Sequence, residues 1–122
     1  MRTPNGCYPQ YHTSADDLNL VSPLSLGESL LQLFRVIQVF EENACYQNLN
    51  PKCEPQLGRR GLYRQMGGAK EAATREMAMF WVLNLSDGHH DLLDVAIRSG
   101  LPFNEISRAA DALREAGLLA TI

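Results

Sequence analysis

The chain has 122 residues, enough for one domain of ordinary size or for the tail of a larger one. Apolar residues make up 45% and charged residues 20%, a globular balance that excludes wholesale disorder. Fourteen acids against eleven bases leave a net charge of −3, which disfavours a general polyanion binder.

No run of apolar residues is long enough to predict a membrane span. The opening MRTPNGCYPQYHTSADD has no apolar stretch of the kind a secretory signal needs. Cys7, Cys45 and Cys53 are odd in number and form no Cys-x-x-Cys pair, which suits free thiols in a reducing cytoplasm and does not suit a zinc knuckle.

Residues 1–24 are rich in Pro, Gly, Asn, Asp and Ser and read as loop. Ser25 followed by Glu28 is a capping-box pattern, and the helical period then runs to about Asn43. Leu30, Leu33, Phe34, Ile37 and Phe40 form one face, and Leu31, Val36 and Val39 widen it. A helix this apolar needs cover on more than one side. Residues 44–68 change character: ACYQNL suits a short strand, and NPKCEPQLGRRG, with its prolines and glycines, suits an irregular linker. Arg59, Arg60, Arg64, Lys70 and Arg75 are the basic concentration of the sequence, expected as a solvated or internally paired surface.

From residue 69 the pattern predicts a compact three-helix bundle. The first helix, about Lys70 to Asn84, shows Ala73, Met77, Phe80, Trp81 and Leu85 at spacings of three and four, which points to Met77, Phe80 and Trp81 as core. Ser86-Asp87-Gly88 breaks it. A second helix is expected from Asp91 to Arg98, with Leu92 and Leu93 matched one turn on by Ala96 and Ile97. Gly100 suits a left-handed helix end, and Pro102 blocks continuation. The third helix runs from Phe103 to Ala116 with Ile106, Ala109, Ala110 and Leu113 inward; Gly117 ends it and Leu118 folds back. Helix, Gly-containing turn and Ala-lined helix make a helix-turn-helix layout. No clear β-wing hairpin is expected after it, because the sequence stops at Ile122.

A DNA reader carries basic and amide side chains on its recognition helix. Here Arg108 and Arg114 stand against Glu105, Asp111 and Glu115, and from Glu76 onward seven acids face three arginines. That favours a structural or protein-contacting module over nucleic acid. His89-His90 is expected as a cap or a solvated surface, since neighbouring helical positions point about 100° apart. No phosphate-binding loop, dinucleotide fingerprint or serine-hydrolase elbow occurs.

Tyr11-His12-Thr13-Ser14-Ala15-Asp16-Asp17 places an imidazole beside carboxylates in a polar loop, a weak metal signal by spacing alone. The longer string MRTPNGCYPQYHTSADDLNLVSPLSLGESLLQL resembles the end of the catalytic domain of co-catalytic zinc aminopeptidases. In those enzymes a late Tyr-His-Thr-x-x-Asp loop delivers the last metal-binding His before a long helix. YQNLNPKCEPQLGRRGLYRQMGG and MFWVLNLSDGHHDLLDVAIRSGLPFNEISRAADALREAGLL are similar to a bacterial family of aminopeptidase-like proteins that end in a winged-helix segment. The resemblance covers nearly the whole chain. Members usually carry glycine where this sequence has Cys53.

The resemblance implies a mainly α chain with three parts. Residues 1–43, a loop plus a long helix, would end an α/β zinc-exopeptidase-like domain; 44–68 would link; and 69–122 would be the winged-helix, helix-turn-helix-like bundle. It implies zinc as cofactor, His12 as one metal ligand, and Asp16, Asp17 and Tyr11 supporting its loop. It implies a peptide or other amide as substrate and Arg59 and Arg60 at a substrate or domain contact. The remaining ligands and the general base that a two-zinc site needs are absent from this sequence, so the chain is expected to be a C-terminal piece of a longer polypeptide, inactive by itself, with a missing N-terminal part or a second copy covering the apolar helix.

Overall fold

A computed structural model describes residues 3–4, 6–63 and 69–122, with side chains of the last segment described from Ala72. It contains four helices and a three-stranded sheet, in the order α1 (Pro23–Glu42), β1 (Cys45–Asn48), α2 (Ala69–Leu85), β2 (Asp87–Asp91), α3 (Leu92–Ser99), α4 (Phe103–Glu115) and β3 (Leu119–Thr121). The chain divides into two units, Met1–Glu41 and Glu42–Ile122. The Arg64 and Lys70 side chains and the Gly67-Gly68 pair lie outside the described residues.

The first unit is a run of turns leading into α1. The helix starts earlier than the Ser25–Glu28 box predicts. Ser22 holds the cap: its Oγ accepts the Ser25 N–H at 3.2 Å, and Ser25 Oγ donates to the Ser22 carbonyl at 2.9 Å. Pro23 then occupies the first helical position, where its missing N–H costs nothing and its fixed φ is already helical. None of the 20 residues of α1 is buried. Leu30, Leu33, Phe34, Ile37 and Phe40, the predicted face, are all more than half exposed.

The second unit holds the core. Ala78, Met79 and Val82 of α2 pack with Leu92 and Val95 of α3 and with Ile106, Ala109, Ala110 and Leu113 of α4. The described part of the segment read as a linker belongs to this unit: Tyr46 and Leu57 are core residues, and β1 is the central strand of the sheet, ordered β2-β1-β3. Both pairings are antiparallel, with Gln47 opposite Asp87 in one and Ala120 in the other, and a register shift sits between Cys45 and Gln47. No hairpin follows α4, as expected, yet a wing exists: its middle strand comes from ahead of the bundle helices α2, α3 and α4.

Asp-Gly-His-His-Asp has no intrinsic strand preference. It extends because β1 offers it a ladder and because the turn before it is fixed. Asn48 N–H donates to the Ser86 carbonyl at 2.7 Å, and Gly88 takes φ +83, a backbone state open to glycine. The helix ends follow the sequence more directly. Asp91 caps α3 by accepting the Asp94 N–H at 2.8 Å, and Asn43 joins it, donating to Asp91 and accepting the Leu93 N–H. Gly100 (φ +69) closes α3. Gly117 (φ +71) closes α4, and Leu118 N–H returns to the Leu113 carbonyl at 2.9 Å with its side chain buried.

The α2 core face differs from the predicted one. Met77 is 50% and Phe80 37% exposed, while Trp81 and Leu85 are only partly buried against the core. Apolar residues occur all round this helix, so a period of 3.6 fits two stripes equally well. Contact with α3 and α4 selects the stripe through Ala78, Met79 and Val82, whose smaller members let the helices approach. On α3 likewise Leu92, Val95 and Ala96 turn inward, and Leu93 and Ile97 are exposed.

Candidate functional site

In the first unit a chain of turns carries the imidazole. Thr13 N–H donates to the Gln10 carbonyl, Thr13 Oγ1 donates to the same oxygen at 2.8 Å, and the Ala15 N–H donates to Thr13 Oγ1. Asp17 closes the next turn: its carboxylate accepts the backbone N–H of Asn19 at 2.8 Å and the side-chain amide at 3.2 Å, which lowers its pKa below the usual value. Asp16 is exposed, and its N–H donates to the Thr13 carbonyl. His12 sits at φ +58 on the exposed surface. Its ring lies against Tyr11 at a centroid distance of 4.1 Å and 27° between planes, and Tyr8 meets Tyr11 edge-on at 5.6 Å. This geometry presents one ring nitrogen donor set. Among the described residues no three His, Cys, Asp or Glu side chains come together as a metal site. A structural or catalytic zinc needs three or four ligands, so these residues alone do not hold one.

In the second unit, Arg60 ties the 51–63 segment to the end of α4. Its Nε donates to the Pro55 carbonyl at 3.0 Å and its Nη1 to the Ala116 carbonyl at 3.2 Å. Arg59 is exposed. His90 Nδ1 lies 3.0 Å from the Asp87 carboxylate. Asp87 also accepts the N–H groups of His89 and His90, and these bonds, His89 first, hold its pKa down to about 2. The two histidines stand on a strand, so their side chains leave opposite faces. The three cysteines are unpaired.

Both arginines of α4 are engaged by acids of the same helix. Arg114 Nη2 is 3.0 Å from Asp111, and Arg108 Nη1 is 3.8 Å from Glu105. The helix that would enter a DNA groove thus offers no surplus positive charge.

One feature was not legible in the spacing of apolar residues. The α2 side left out of the core forms the wall of two adjoining hollows that share Phe80 and Asn84. One, of about 440 Å³, lies between α2, β1 and the 51–55 loop; the other, of about 400 Å³, lies along Met77 and Trp81.

A family model described as winged helix-turn-helix matches residues 44–121, and one described as a domain of unknown function, DUF4910, matches residues 1–43. A Clostridium acetobutylicum protein named "Putative polysaccharide biosynthesis protein with aminopeptidase-like domain" is 52% identical over 109 residues, 89% of this chain and 25% of that protein. A crystal structure of a C. acetobutylicum protein named a "putative peptidase" superposes with a TM-score of 0.80 at 46% identity, over 96% of this chain and 25% of the other. The chain spans about a quarter of the length of the relatives it matches.

Proposed function

The chain belongs, over residues 44–121, to the winged helix-turn-helix family, and from that premise we propose that it is a non-catalytic portion of a zinc-dependent aminopeptidase-like protein. In this reading residues 8–19 lend one imidazole, His12, to a metal centre whose other ligands lie outside these 122 residues. The winged-helix unit contacts protein and not nucleic acid. The observation that carries the reading is the 52% identity, over 109 residues, to a protein named for an aminopeptidase-like domain.

Zinc, when bound, would polarise the scissile carbonyl of a peptide or other amide and lower the pKa of a bound water. What this chain's own residues do is narrower. The Tyr11 ring backs the His12 ring and limits its rotation. Thr13 and Asp17 fix the turns on either side, so that Asp17 acts through the loop, while exposed Asp16 is the carboxylate left to orient the imidazole. Arg60 is committed to two carbonyls, so in this reading exposed Arg59 is the one that would meet a substrate or a neighbouring domain.

The test is a chimera in which this chain replaces the matched quarter of the C. acetobutylicum relative. His12→Ala should weaken zinc retention by at least about tenfold and abolish hydrolysis of aminoacyl amides, with the helical circular dichroism unchanged. Full zinc content and turnover in the variant would remove His12 from the metal centre. A chimera and a parent relative that both fail to bind zinc would remove the peptidase reading itself.

A further inference from the structure

We propose that the trough on the outer side of α2 is a docking groove for an amphipathic cationic protein segment, a helix or extended peptide with apolar and Lys/Arg side chains. The inference is independent of the zinc reading above. It begins with a face the fold leaves uncovered in its own unit. While Ala78, Met79 and Val82 build the core, Met77, Phe80 and Trp81 line open hollows on the opposite side of the helix. Met77 and Phe80 are exposed there beside a half-buried Trp81, an apolar patch of the kind that marks a binding surface. They are also the residue types that anchor partners in apolar grooves.

Charge decides the class of occupant. Among the described residues, the two hollows are lined by two formally charged side chains, Glu54 and Asp87, and both are acidic. Glu54 accepts the Leu57 N–H at 2.6 Å, and Asp87, which also holds His90 Nδ1 at 3.0 Å, stays ionised throughout the physiological range with its lowered pKa. Polar groups of Gln47 and Asn84 add hydrogen-bonding edges along the same floor. Apolar walls with an anionic rim favour a partner whose apolar side chains fill the trough and whose cations meet the carboxylates. They disfavour nucleic acid, acidic peptides and anionic lipid surfaces.

Trp81 is the single tryptophan of the chain and lines the trough, so its emission reads occupancy directly. The 122-residue chain is titrated with an 18-residue Leu/Lys helical peptide, a Leu/Glu peptide of the same pattern, and a random DNA duplex. The expected result is a saturable change in Trp81 emission with the Leu/Lys peptide alone. Asn84, exposed in the last turn of α2 and lining both hollows, is the place to vary charge without touching the core. Asn84→Lys should weaken the Leu/Lys peptide at least fivefold and Asn84→Glu should tighten it, both with unchanged circular dichroism. Equal response to the two peptides, a response to duplex, insensitivity to both Asn84 variants, or a Trp81 signal that changes on dilution of the chain alone, as a second copy in the groove would give, each overturns the proposal.

Discussion

Cys53 occupies a backbone state that suits another residue. Its φ of +65 lies in the left-handed region, where a Cβ crowds the following carbonyl. Glycine takes this φ without strain. Cys53→Gly should therefore raise stability by about 1 kcal/mol, the relief of strain exceeding the added freedom of the unfolded chain. The check is a higher urea midpoint with an unchanged slope. Asp87 and Asp91 carry the second prediction at this scale. Both carboxylates are held below the ordinary 3.8, Asp87 to about 2 by the His89 N–H first, Asp91 by the Asp94 N–H first. A carboxylate with a lowered folded-state pKa adds stability that is present above pH 4 and lost as pH falls through the folded-state value. The melting temperature should thus drop between pH 4 and pH 2, and Asp87→Asn should flatten that acid limb. Asp91→Ala should cost about 1 kcal/mol at neutral pH as a lost helix cap.

Among the elements, α1 is the one whose behaviour follows most directly from its surface. Its leucines and phenylalanines are exposed along 20 residues, and an apolar face of this extent drives association when nothing covers it. The isolated chain should self-associate at tens of micromolar in sedimentation velocity, and Leu33→Glu with Ile37→Glu should return it to monomer. The same helix shows what a sequence makes legible. The face at 30, 33, 34, 37 and 40 could be read from periodicity, as could the ends of α3 and α4 at Gly100 and Gly117, because glycine and caps act locally. The core stripe of α2 could not. Met77, Phe80 and Trp81 keep a perfect helical spacing, yet so do Ala78, Met79 and Val82, and only the neighbours choose. The strands β2 and β3 were hidden for a related reason: Asp87–Asp91 has no β-forming residues, and both segments extend only because β1 lies between them. The His12 loop could be located by its motif, while the stacking on Tyr11 and the turn held by Asp17 are matters of geometry.

For the molecule as a whole, the distribution of charge matters more than the fold it is written on. A winged helix-turn-helix is used to read DNA in many settings, but fold does not carry function. Affinity for duplex comes first from cations that release condensed counterions from phosphate. Here the net charge is −3, and both cations of α4 are already 3.0 and 3.8 Å from carboxylates one turn away. Docking α4 into a groove would bring Glu105, Asp111 and Glu115 toward phosphate together with the two arginines. Surface pairs of this kind contribute little to stability, about 0.5 kcal/mol each, so their weight here is electrostatic screening of the arginines and not support of the helix. The 122-residue chain should therefore leave a random 20-base-pair duplex unshifted at 50 mM salt up to about 100 µM, the weak end of the usual range for non-specific binding. Glu105→Gln with Asp111→Asn removes the two partner charges and turns the helix from net −1 to net +1. A weak, salt-sensitive shift appearing only in that variant would show that the helix has DNA-compatible geometry and that its own acids are what keep it off nucleic acid. A shift with the unaltered chain would mean that cations elsewhere on the unit, Arg59 foremost, carry a nucleic-acid surface that α4 does not.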